Sequence, residues 1–145
     1  MLSGGGIFDA LDYSFSPGHE DGADLEPNGP GGGSPTLRRQ LFLLREFLGE
    51  FSLGDLRPDS TVVTHAAGVV PHALGNPGKE YAIYLDGNGP TEITLALPQG
   101  RYSAEWVNTK NGTIEKSESI EQIGGTTVLQ SPAFEKGIAL RLVRK

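Results

Sequence analysis

EITLALPQGRYSAEWVNTKNGTIEKSESI, residues 92–120, decides the fold. Ile93, Leu95 and Leu97 share one face of an alternating run, and Tyr102, Ala104 and Trp106 share one face of the next. A period of two belongs to a strand with one covered side. The residues between the runs are turn formers. Pro98-Gln99-Gly100 separates the first two. Lys110-Asn111-Gly112-Thr113 follows the second, and Asn-Gly favours the tight type I′ hairpin.

The same rhythm continues in both directions. Eight runs read as strands: Thr61–Ala66, Val69–Ala73, Tyr81–Leu85, Glu92–Leu97, Tyr102–Asn108, Thr113–Ile120, Thr126–Gln130 and Ile138–Val143. Gly75-Asn76-Pro77-Gly78, Asp86-Gly87-Asn88-Gly89-Pro90 and Gly124-Gly125 punctuate them. Pro71 lacks an amide hydrogen, so its strand belongs at an edge. Short strands spaced 8–12 residues apart predict an antiparallel β-sandwich of about eight strands over residues 59–145.

Upstream the period changes. Leu37, Leu41, Leu44, Leu48 and Phe51 recur at helical spacing, which predicts one amphipathic helix over 35–52, and helix and linker together make up the segment 37–58 between loop and sandwich. Ser34 and Pro35 are the residues that start a helix, and Gly54 and Pro58 end it. Phe42 and Leu43 fall off the stripe, so a second side of the helix is apolar. At ~1.5–3 kcal/mol per large side chain, such a stripe demands cover, from this chain or from another.

The first 36 residues are of different material. They hold six acids (Asp9, Asp12, Glu20, Asp21, Asp24, Glu26), nine glycines, four prolines and no Lys or Arg. The remaining residues balance twelve acids with twelve bases, so the net charge of −6 resides entirely in this Gly-rich, acidic N-terminal loop. From Ser16 to Pro35 only Ala23 and Leu25 are apolar, too little to offset ordering at ~1–2 kcal/mol per residue. This stretch is expected to order only against a partner surface.

The composition excludes several functions. An acidic chain lacks the basic face that nucleic acid requires. No run of eighteen apolar residues predicts a membrane span, and Met1–Gly6 has no basic-then-apolar signal pattern. With no cysteine there is no disulfide, thiol nucleophile or Cys-based zinc site. Gly4-Gly5-Gly6 lacks the Lys and the preceding strand of a phosphate loop, and the leader acids lack EF-hand spacing. No metal and no cofactor is expected. His65 and His72 have no third ligand at suitable spacing. Glu92 and Glu105 have no neighbour that would raise a carboxyl pKa for acid catalysis. Tyr102 and Trp106 could stack on a sugar ring, but their shared face with Ala104 reads as core. Asn111-Gly112-Thr113 is a glycosylation sequon without secretory context.

Three segments in order resemble a known arrangement. LSGGGIFDALDYSFSPGHEDG (2–22) and LRRQLFLLREFL (37–48) resemble the last loop and closing helix of a glycoside-hydrolase-like (β/α)8 barrel. EYAIYLDG (80–87), LPQGRYSAEWVNTKNG (97–112) and SPAFEKGIALRLVRK (131–145) resemble the small β-sandwich that follows such barrels, the collagen-binding domain of collagenase-like and apiosidase-like proteins. The resemblance implies a non-catalytic C-terminal accessory domain, structural or carbohydrate-binding, whose catalytic carboxylates would lie ahead of Met1. It implies carbohydrate or the missing barrel domain as partner, and carbohydrate-contact candidates Asp12, Tyr13, His19 and Glu20 in the loop at the barrel mouth. Its relatives are often secreted or periplasmic. A protein-interaction module of the collagen-binding type is the alternative, a homo-oligomer stays open, and a small glycosidase using Asp12 and Glu20 is the third reading.

Overall fold

A computed structural model of the chain describes residues 14–24 and 35–145. One helix, α1 (Pro35–Gly49), precedes nine strands: β1 (Arg57–Pro58), β2 (Val63–Ala66), β3 (Val70–Asn76), β4 (Glu80–Asp86), β5 (Glu92–Leu95), β6 (Gly100–Asn108), β7 (Ile114–Gln122), β8 (Thr127–Gln130) and β9 (Ile138–Arg144). All eight expected strands form. The ninth, β1, is two residues long and carries no alternation to reveal it.

The strands make two antiparallel sheets, one of six in the order β1-β3-β4-β9-β6-β7 and one of three in the order β2-β5-β8. The chain crosses between them repeatedly, and β9 enters last, between β4 and β6. Beyond Leu74 and Gly75, the outer side of β3 has no partner strand among the described residues, so Pro71 lies on an open edge there, as its missing amide requires.

The alternation read from the sequence fills the space between the sheets. Tyr81, Ile83 and Leu85 of β4, Tyr102, Ala104 and Trp106 of β6, and Ile138, Leu140 and Leu142 of β9 meet Ile93, Leu95 and Leu129 of the smaller sheet. Trp106 and Tyr102 are fully buried. They belong to the core, where the indole N–H donates to Glu118 at 3.3 Å and the phenol donates to the Pro98 carbonyl at 2.9 Å.

Two turns differ in how far sequence chemistry determined them. At Asn76-Pro77-Gly78-Lys79 the Lys79 amide donates to the Asn76 carbonyl at 2.9 Å, and Gly78 has φ +77°. Pro second and a left-handed Gly third is the signature of a type II turn. The β6–β7 connection corrects an expectation. It is a hairpin, but Gly112 (φ +82°) is left-handed and Asn111 is not, whereas type I′ needs both. Asn111 instead uses its side-chain oxygen to accept from the Thr113 amide at 2.9 Å. That local bond favours a longer loop, 109–113.

The helix also ends early, at Gly49 rather than near residue 52. The cause is tertiary: the Ser52 amide donates to the Glu80 carboxylate at 2.9 Å and so is lost to a helical ladder. Phe51 then drops onto the outer face of the large sheet. There it packs with Leu56 and Ala82, and Phe47 and Leu74 border the cluster. Arg141 reinforces the anchorage from β9, reaching Glu50 at 3.1 Å while also binding Glu105.

Candidate functional site

Two features stand outside the core: the N-terminal loop and the space beneath α1. Of the stretch Ser16–Pro35, expected to order only on a partner, residues 25–34 lie outside the described residues, and Ser14–Asp24 closes on itself. The amides of His19, Gly22 and Asp24 donate to the carbonyls of Ser16, His19 and Ser14 at 2.8, 2.9 and 3.2 Å. Ser16 Oγ donates to Asp24 at 2.6 Å. Arg38 of α1 holds the whole loop. Its guanidinium donates to Ser14 Oγ at 2.9 Å and to the carbonyls of Asp21 and Gly22 at 3.2 and 2.7 Å, and it lies 4.9 Å from the Phe15 ring centre. Five donors in one plane suit Arg to this task. Turn formers and one cation thus replace the missing apolar anchors.

Of the four carbohydrate-contact candidates, Asp12 and Tyr13 lie outside the described residues. His19 and Glu20 sit together at the exposed tip of the loop. The Gly18 amide donates to Glu20 at 3.0 Å. This bond, with the residue's own amide, holds the Glu20 carboxyl below its ordinary pKa. An acid that must deliver a proton needs the opposite shift, so Glu20 is suited to accepting hydrogen bonds.

The other residues weighed from the sequence separate. His65 lies in the small sheet and His72 in the large one. Glu92 is exposed on β5, while Glu105 pairs with Arg141 on the outer face of β6. Among the described residues, no three His, Asp or Glu side chains gather as a metal site. No described helix is long and apolar enough to cross a membrane.

The second feature was half visible. The stripe of α1 turns toward the sheet, but it meets it only near its C-terminal end, through Phe47 and the Phe51 cluster. No residue of α1 is buried, and Leu44, central to the stripe, is 41% exposed. Between Gln40–Leu48 and the sheet lies an open cleft of about 660 Å³. Its floor is the row His72–Tyr84–Ala139–Val107 set by strand register, and next to it Leu74–Ala82. His72 and Tyr84 stack, with ring centres 6.2 Å apart. The Tyr84 hydroxyl donates to the Lys136 carbonyl at 3.1 Å. Burial foremost, then the charge of Asp86, raises its pKa, which keeps the donor proton in place.

Sequence reasoning missed Arg38 and Tyr84. Arg38 shows nothing local that points sixteen to twenty-four residues back. Tyr84 could have been found: it alternates with Ile83 and Leu85, so it must face outward.

Arg38→Ala tests the clamp. The Gly22 and Asp24 amides are expected to exchange about tenfold faster, the equivalent of about one net hydrogen bond lost. Amides of β4 and β9 should keep their protection. Unchanged exchange in the loop would show that Arg38 does not hold it.

The fold is thus a two-sheet sandwich carrying one helix on its outer face. No protein-family model and no curated protein matches the sequence. Among solved structures, the chain is similar to a glycoside hydrolase with a TM-score of 0.60 at 17% sequence identity. The likeness covers 83% of this chain and 30% of that one. The covered share exceeds the β region from Asp59 onward, about three fifths of the chain, so the shared fold reaches into the segment ahead of the sandwich. The chain spans well under half the length of the structure it matches.

Proposed function

We propose that the chain is a non-catalytic accessory module of a glycoside-hydrolase-like protein. The observation that carries this reading is the structural likeness itself: most of this chain corresponds to a minor part of a glycoside hydrolase. The backbone amides that hold the Glu20 carboxyl below its ordinary range suit it to accept hydrogen bonds from sugar hydroxyls. In this reading Asp12, Tyr13, His19 and Glu20 contribute sugar contacts beside a catalytic domain, with Arg38 fixing the loop that bears the last two.

A protein-contact module of the collagen-binding type is the second reading. It keeps the exposed apolar side chains of α1, Phe42 and Leu44 (46% and 41% exposed), as the surface a protein partner would cover. The purified chain is expected to hydrolyse none of a panel of 4-nitrophenyl glycosides. Turnover that disappears in Glu20→Gln would replace the accessory reading with that of a small glycosidase.

A further inference from the structure

The cleft under α1 has two unlike ends. One is closed by Phe47, Leu74 and Ala82, which run into the packed Phe51–Leu56 cluster. The other opens between the loops after β6 and before β9, where Lys110, Glu135 and Lys136 stand. Lys110 and Glu135 pair at 3.2 Å. The Lys136 ammonium has no ion pair among the described residues. The Lys136 backbone is held left-handed, φ +64°, by Tyr84 at its carbonyl and by Asn88, whose side-chain oxygen accepts from its amide at 3.1 Å. A non-glycine residue in that region needs such support. In a chain of net charge −6, the charged residues lining this cleft are two lysines and one glutamate.

The floor restricts what can lie there. The central strands of the floor, β4, β9 and β6, are each paired on both sides, so only β3 at its rim has backbone groups left for an extended peptide. Apolar side chains of α1 and the floor line most of its length, and Lys136 stands at one end, which favours an apolar occupant with a negative charge at that end. The volume falls within the ~300–1,000 Å³ of small-molecule sites. The nine residues from Gln40 to Leu48 give it a length of about 12 Å.

We infer that the cleft binds a long-chain carboxylate. The alkyl chain lies between Leu44 and Phe47 of α1 and Leu74 and Val107 of the sheet, and the carboxylate meets Lys136. This site is separate from the loop invoked for the accessory role, and its failure would leave that reading untouched.

Calorimetric titration of the whole chain with octanoate, decanoate and dodecanoate, below micelle formation, tests the assignment. Binding should saturate at one site and tighten about fourfold per added methylene. Lys136→Glu should weaken dodecanoate at least tenfold and leave the uncharged dodecyl maltoside unchanged. Leu44→Asp, at a helix position 41% exposed, should weaken both while leaving the unfolding midpoint in urea near that of the parent chain. Absent saturation, no dependence on chain length, or equal effects of Lys136→Glu on both amphiphiles would overturn the proposal. A dimer in sedimentation that dodecanoate fails to dissociate would give the cleft to a second copy and overturn it equally.

Discussion

Trp106→Ala is expected to lower the unfolding free energy by about 4 kcal/mol. Trp106 is the largest fully buried side chain, and it stands where β6 faces the small sheet. Removing the indole forfeits its transfer term and leaves a cavity that two hydrogen-bonded sheets cannot collapse to fill. A second loss follows, because Glu118 surrenders the indole N–H at 3.3 Å. A domain of this size has ~5–15 kcal/mol in all, so the variant should approach unfolding at 37 °C. Urea denaturation followed by circular dichroism measures it. Glu118→Gln, which keeps the acceptor oxygen, should lose under about 1 kcal/mol. A Trp106→Ala loss under about 1.5 kcal/mol would mean that the indole is not enclosed by both sheets.

Gly137→Ala is expected to cost about 3 kcal/mol. Gly137 has φ +149°, a region that non-glycine residues occupy at ~1–3 kcal/mol. A Cβ there would also fall 2.6 Å from Tyr84 Cζ and 2.7 Å from Cε2. The ring cannot simply swing aside, because His72 stacks against it and its hydroxyl is bound to Lys136. The two causes can be separated. In a Tyr84→Ala background the steric part vanishes and only the backbone part remains, so Gly137→Ala should cost roughly half as much. Equal costs in the two backgrounds would mean that the ring plays no part in the penalty.

These two residues show what could be read without coordinates. Trp106 was legible because it belongs to a two-residue rhythm, and rhythm survives in a one-dimensional string. So were Pro71 at its open edge and the left-handed Gly78, whose demands are set by their own covalent geometry. Gly137 was not. Its φ serves an aromatic ring fifty-three positions earlier, and no local pattern encodes that meeting. The end of α1 was misplaced for the same reason, since Glu80 takes the Ser52 amide from another element. The hold on Ser14–Asp24 was not legible, because the count of apolar anchors takes no account of a guanidinium such as that of Arg38. Of the candidate site, the loop was located by its acids and glycines. The cleft was not, since it is the distance between two elements rather than a property of either.

The position of β9 has a consequence for how the molecule is made. The strand lies in the middle of the six-stranded sheet, with β4 on one flank and β6 on the other, yet it is the last of the nine to leave the ribosome. Without it, the β3–β4 and β6–β7 pairs would have no strand between them and their facing edges would be unpaired. Such edges are where nascent chains pair wrongly with one another. Closure of the six-stranded sheet therefore waits for β9, the strand that comes last of these in chain order.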